Sequence, residues 1–118
     1  MSTVLVVDDD PDIREALQIV LELQGHQVRL ASNGKVALAA LARSPLPCVI
    51  LLDLMMPEMN GWEFMTAQQA DPRLAKIPVV VLSGNNSLAE LASEKQVECL
   101  EKPVDVTTLV AMVRRFCR

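Results

Sequence analysis

Cysteine is scarce in this 118-residue chain. Cys48, Cys99 and Cys117 are odd in number and show no C-x-x-C spacing, which argues against a disulfide framework and against a zinc site. Basic residues are in the minority: 11 Lys and Arg face 15 Asp and Glu, and the net charge of −4 speaks against an electrostatic nucleic-acid binder. Only Arg114, Arg115 and Arg118 cluster, where they suit the C-terminal end of a helix. "MSTVLVVDDD" has neither a basic n-region nor a cleavage-like site, so no secretory signal is expected. The longest apolar run, "VALAALA", is far shorter than the roughly 20 residues of a membrane-spanning helix. The expectation is a soluble cytoplasmic protein with no membrane insertion and no direct nucleic-acid binding. It should form one domain over residues 1–118, large enough to bury a core without disulfides or structural metal.

What is present is a regular alternation of strand and helix. "TVLVVD" is a short β-branched run ending at Asp8. In "DPDIREALQIVLELQG", Asp10 suits the N-cap and Pro11 the first helical position, and Gly25 is a natural stop. Ile13, Ala16, Leu17, Val20 and Leu21 give that helix one apolar face. "QVRLAS" alternates as a strand, and the Ala-rich "NGKVALAALARS" reads as a helix. "CVILLD" is a strand, and in "NGWEFMTAQQA" Asn60 and Glu63 are spaced as a capping box. Then come the strand "PVVVLSG", a short helix in "NSLAELASEK", the strand "VECLEKP" and a final helix in "DVTTLVAMVRRFC". Leu109, Met112, Val113 and Phe116 share one face of that last helix.

Five strands alternating with five helices predict an α/β, doubly wound, flavodoxin-like (βα)5 fold with a parallel sheet. The strands ending at Asp8, Asp53 and Ser83 are continuous apolar runs, as interior strands are. "QVRLAS" and "VECLEKP" mix in polar residues, as edge strands do. The strand order 2-1-3-4-5 follows.

In such a sheet the site lies beyond the carboxyl ends of the strands, at the switch in strand order. Asp8 and Asp9 end the first strand, Asp53 the third, Ser83 the fourth and Lys102 the fifth. Three crowded carboxylates must protonate or bind a cation, and an all-oxygen set favours a hard ion such as Mg2+. A lysine and a serine can hold the remaining oxygens of a phosphoryl group. The set suits phosphoryl transfer onto a carboxylate. Each residue has an ordinary reading when taken alone, since Asp10 and Asp9 can cap a helix and Ser83 before Gly84 is a common turn residue. Their placement at the same end of four strands is the specific signal.

"VLVVDDDPDIREAL", "VILLDLMMPEMNGWEF", "IPVVVLSG" and "LEKP" resemble the receiver domain of bacterial two-component response regulators, over nearly the whole chain. The resemblance implies that Asp53 accepts a phosphoryl group from a sensor histidine kinase or a phosphotransfer protein. It implies that Asp9, Asp53 and the Met55 main-chain carbonyl ligate Mg2+ directly, with Asp8 acting largely through water. Ser83 would bind the phosphoryl group, Lys102 would pair with it, and Pro57 and Gly61 would shape the loop after the acceptor. Such a module is a signalling phosphoacceptor rather than an enzyme, catalysing only its own phosphorylation and dephosphorylation.

Two features depart from the family pattern. Cys99 stands three positions before the lysine, where relatives usually have an aromatic residue or histidine, and the chain has no tyrosine. The interval from Ser83 to Lys102 is a few residues short, and the habitual Gly-Ala before the last strand is missing. Among alternatives, "DDDPD" superficially supplies the D-x-D of a haloacid dehalogenase-type phosphatase, with its nucleophile on the first strand. That leaves the motif around Asp53 unexplained. A receiver-like scaffold that binds partners without phosphorylation need not keep three mutually repelling acids. His26, just after a helix stop, is expected to face solvent. The methionines at 55, 56 and 59 are expected to pack adaptably. Trp62 is expected to be partly exposed.

Overall fold

The computed structural model describes residues 2–43, 45–56, 58–83 and 98–117. The strands are β1 (Thr3–Val7), β2 (Gln27–Ala31), β3 (Val49–Asp53), β4 (Val79–Ser83) and β5 (Glu98–Glu101). The helices are α1 (Pro11–Leu23), α2 (Gly34–Leu41), α3 (Gly61–Ala70) and α4 (Val106–Phe116). All strand pairs are parallel, and the order is β2-β1-β3-β4-β5. The order and the edge positions of β2 and β5 are those expected from strand composition. The helix expected in "NSLAELASEK" lies outside the described residues.

Two cores cover the two faces of the sheet. Alternate residues of one strand point to opposite sides. Leu5, Val7, Ile50, Leu52, Val79 and Val81 therefore pack with Ala37 and Leu41 of α2 and Phe64 and Met65 of α3. Val4, Val6, Val49, Leu51, Val80 and Leu82 pack with Leu17 and Leu21 of α1 and Leu109 and Val113 of α4. A fully buried Leu, Ile or Val side chain is worth about 1.5–3 kcal/mol, and these layers hold the sheet together. Of the expected face of α4, Leu109 and Val113 are buried, and Met112 and Phe116 lie half-buried at its edge.

Helix starts are set as the sequence indicates. The Asp10 side chain accepts from the Asp12 N–H, with Pro11 in the first turn, and Gly25 takes φ +90 just past the helix end. Asn60 and Glu63 form the reciprocal capping box, at 2.9 and 3.1 Å. Arg114 and Arg115 sit in the last turn of α4, and Arg115 also pairs with Glu98 of β5 at 2.6 Å. Gln68 is fully buried in α3 and donates to the carbonyls of Leu74 and Ile77, pinning the turn that leads to β4.

Two expectations are corrected. His26 is buried, not solvent-facing: the chain turns at Gly25 and tucks the ring beneath the start of β1. There Nδ1 lies 2.5 Å from Ser2 Oγ, and the His26 N–H donates to the Leu21 carbonyl. The second correction concerns the cysteines. Cys48 and Cys117 form a disulfide across 69 positions of sequence, with Cα atoms 5.4 Å apart, leaving Cys99 free. Cysteine spacing could not show this, because the pair meets only when the last turn of α4 lies beside the entry to β3. Trp62 is half-buried as expected. Met56 and Met59 pack against the α2–α3 core, while Met55 is mainly exposed.

Candidate functional site

Register brings the acids together. Val7 pairs with Leu52, so one step further Asp8 stands beside Asp53. Asp53 pairs with Leu82, one residue before Ser83, and Ser83 pairs with Glu101, one residue before Lys102. Carboxylate oxygens of Asp8, Asp9 and Asp53 all lie within 4.8 Å of one another. Asp8 is fully buried, Asp53 nearly so, and Asp9 faces solvent. Lys102 Nζ reaches both buried acids, at 3.0 Å from Asp8 Oδ2 and 3.5 Å from Asp53 Oδ2. The structure thus brings together Asp8, Asp9, Asp53 and Lys102 of the expected set. It places Ser83 at the end of the adjoining strand.

Local hydrogen bonds aim these groups. Asp8 Oδ1 accepts from the Asp10 N–H at 2.9 Å, and its carbonyl accepts from Arg14 Nη1 at 2.7 Å. Asp53 Oδ1 accepts from the Met55 N–H at 3.1 Å. The loop after Asp53 is braced from two sides. A Cβ on Gly61 would stand 2.8 Å from the Asp53 carbonyl oxygen and 2.8 Å from Leu54 Cα, so only glycine lets α3 start so close to the acceptor. The Gly61 N–H also donates to the Leu54 carbonyl, at 3.0 Å. On the other side, the Gly34 N–H donates to the Met59 carbonyl at 3.1 Å. A Cβ on Gly34 would meet Met59 Cγ at 2.6 Å. In the sequence, "NG" at residues 33 and 34 marks a helix start; nothing in the dipeptide shows that Gly34 abuts the acceptor loop. Gly34→Ala should therefore cost about 1–2 kcal/mol through overpacking. Met59→Ala in the same chain should recover part of that loss in urea denaturation, and equal losses in the single and double variants would contradict the contact.

Burial raises the Asp53 pKa, the Met55 N–H lowers it, Asp8 and Asp9 raise it and Lys102 lowers it, leaving it at about 6. Burial alone would lower Lys102. The hydrogen bond to Asp8 and the charges of Asp53 and Asp8 outweigh it and hold the ammonium above its ordinary value. Lys102, expected to pair with a phosphoryl group, makes its shortest ion pair with Asp8. Asp53 is thus a buried carboxylate, largely ionised at neutral pH, with a cation beside it and two further acids at its edge. The donor chemistry of Asp8, Asp9 and Asp53, all carboxylate oxygen, fits a hard divalent cation.

A parallel 2-1-3-4-5 sheet with an acid cluster and a lysine at its carboxyl edge defines a class of phosphoryl-handling signalling modules. The comparisons with known proteins are specific about which. The family model for the response regulator receiver domain matches residues 4–114, and the chain belongs to that family. It is 37% identical over 118 residues to an uncharacterised 14.6 kDa protein of the sodA1 3′ region in Leptolyngbya boryana, covering 97% of this chain and 88% of that one. It is 34% identical over 116 residues to protein PilH of Pseudomonas aeruginosa, covering 96% and 95%. It is also 35% identical to response regulator Rre1 of Synechocystis, but spans only 51% of that protein's length. Among solved structures, the Vibrio cholerae chemotaxis protein CheY4 superposes with a TM-score of 0.88 at 30% identity, covering 98% of each chain. A putative response regulator from Chloroflexus aurantiacus superposes with a TM-score of 0.90 at 29% identity, covering 98% and 96%. The chain is therefore a receiver domain of two-component response regulators, a phosphoacceptor signalling module. Among the described residues no helix is long and apolar enough to cross a membrane.

Proposed function

We propose that Asp53 is the residue that accepts the phosphoryl group, and that the whole chain, residues 1–118, works as one receiver domain. The carrying observation is the nearly buried Asp53 carboxylate at the end of a central strand, 3.5 Å from Lys102 and hydrogen-bonded to the Met55 N–H. An Asp53 carboxylate oxygen attacks the phosphorus of a phosphohistidine on a sensor histidine kinase or phosphotransfer protein. The P–N bond breaks, and the histidine nitrogen leaves with its electron pair. Asp9, Asp53 and the Met55 carbonyl would hold Mg2+, with Asp8 acting largely through water. The ion supplies positive charge to the transferring oxygens. Ser83 hydrogen-bonds the bound phosphoryl group, and Lys102, which rests on Asp8, turns to pair with it. Water later hydrolyses the acyl phosphate. No other substrate is turned over, so the chain is a signalling acceptor rather than an enzyme.

An apolar groove of about 240 Å3 between α1 and the segment after Lys102, lined by Ile13, Ala16, Leu17, Val20, Val104 and Val106, adjoins the site and suits such a partner's helix. A partner of this kind places the chain in the cytoplasm. The haloacid dehalogenase-type reading puts its nucleophile after β1 and leaves unexplained the loop braced by Gly61 and Gly34 behind Asp53; turnover of a phosphate ester would favour it.

The test is incubation with acetyl phosphate and Mg2+ followed by intact mass measurement. One phosphoryl group should be added, and none with EDTA present. Asp53→Asn should remove the labelling entirely. Labelling that persists in that variant would overturn the assignment.

A further inference from the structure

Away from the acid cluster, at the amino ends of the strands, two sulfur atoms meet. We propose that Cys48 and Cys117 form a reversible redox site, closed by a low-molecular-weight disulfide and reopened by the corresponding thiol, that pins α4 to the strand carrying Asp53.

Three observations carry this. First, elements other than the bond place both residues. The Cys48 N–H donates to the Thr3 carbonyl at 2.9 Å, which ties it to β1 just before β3 starts. Cys117 caps α4, and its N–H donates to the Val113 carbonyl at 2.8 Å. Leu109 and Val113, both fully buried, seat α4 on the sheet independently. The Cα separation of 5.4 Å lies within the ordinary range for a bridge. The two thiols are thus already adjacent in the folded chain, and closing or opening the bond requires no rearrangement of the sheet.

Second, the fold does not need a staple. The described residues build a core on both faces of a five-stranded sheet, whereas constitutive disulfides concentrate in small domains without such a core. Third, the remaining cysteine cannot interfere. Cys99 packs on the α2–α3 face, while Cys48 and Cys117 belong to the α1–α4 face, so the sheet separates it from them. Burial and the charge of Glu101 also push the Cys99 thiol up, away from the reactive thiolate.

Cys48 is half-buried and Cys117 buried, so Cys48 is the entry point. Its thiolate attacks the small disulfide, forming a mixed disulfide and releasing one small thiol. The Cys117 thiolate then attacks the Cys48 sulfur and releases the second. Two protein thiols and one small disulfide become one protein disulfide and two small thiols. The two electrons end on the small thiols, together with the two protons.

The experiment equilibrates the full chain in glutathione buffers, from reduced glutathione alone to glutathione disulfide alone. Free thiols are then alkylated under denaturing conditions, and the mass is measured. The number of adducts should fall from three to one across the series, the survivor mapping to Cys99. Cys117→Ser should carry two adducts in the reduced buffer and show no intramolecular bond at any ratio. Amide exchange over residues 106–117 should be slower in the oxidised wild type than in the reduced one, and this difference should vanish in Cys117→Ser. One adduct in every buffer would make the bond a permanent staple, three in every buffer would mean that the pair does not bridge, and either result overturns the proposal. Acetyl phosphate labelling of the reduced form runs in parallel: absence of labelling would count against the Asp53 reading and leave the redox result standing.

Discussion

In a metal-chelating buffer the protein should lose about 2 kcal/mol of stability as the pH rises from about 4 to about 7, and the Asp53→Asn variant should escape that loss. The sign follows from the direction of the shift. Asp53 is raised from 3.8 to about 6, with burial the largest cause and Asp8 and Asp9 adding to it. Between those values the folded state binds a proton that the unfolded state has released. Stability from the neutral carboxyl is therefore fully present below about pH 3.8 and lost as the pH passes through about 6. Above that range the ionised group remains a standing cost. At neutral pH the metal-free Asp53→Asn protein should be the more stable of the two, because Asn keeps the shape and a carbonyl oxygen to accept the Met55 N–H. Asp9→Asn should gain less, on the order of 1 kcal/mol, because Asp9 faces solvent, where repulsion is screened. Urea midpoints across the pH series in EDTA measure all three. Parallel curves for wild type and Asp53→Asn would contradict the origin assigned to the slope. Adding Mg2+ at neutral pH should raise the wild-type midpoint and move Asp53→Asn much less, since a ligand that binds only the folded state stabilises it in proportion to its affinity.

Lys102→Met should have the opposite sign and comparable size. Lys102 Nζ donates to Asp8 Oδ2 at 3.0 Å, and Asp8 has no exposed surface. Removing the ammonium leaves a buried carboxylate with, among the described residues, the Asp10 N–H alone on its other oxygen. Breaking a fully buried pair this way costs about 3–5 kcal/mol. The Lys102 side chain is 22% exposed, and water can follow it into the gap, so about 2–3 kcal/mol is the expected loss at neutral pH. Asp8→Asn in the Lys102→Met background should restore more than 1 kcal/mol, because the orphaned charge is then gone. A double-mutant cycle by denaturant unfolding in EDTA reads this directly. Strictly additive losses would show that the two side chains do not depend on each other, and would remove the reason for assigning Asp8 rather than Asp53 as the resting partner of Lys102.

The sheet and the location of the site were legible in the sequence because both depend on short-range pattern. Continuous apolar runs marked β1, β3 and β4 as interior strands, and polar residues within "QVRLAS" and "VECLEKP" marked the edges. Once strands alternate with helices, every carboxyl end falls on one side, so Asp8, Asp9, Asp53, Ser83 and Lys102 had to share an edge. The caps at Asp10 and Asn60 were readable because a cap spans only three or four residues.

Other features needed the folded chain. The Cys48–Cys117 bridge, the burial of His26 against Ser2, and the contact of Gly34 with Met59 join positions 69, 24 and 25 residues apart. No local propensity encodes them, because they depend on how whole elements pack. The choice of Asp8 over Asp53 as the nearer partner of Lys102 is of the same kind. Sequence determined which groups stand at the rim. Tertiary packing decided that Asp8 and Asp53 are buried while Asp9 faces water, and therefore that the ammonium stands against those two: a charge removed from solvent has to be compensated by the nearest opposite charge, while an exposed one does not.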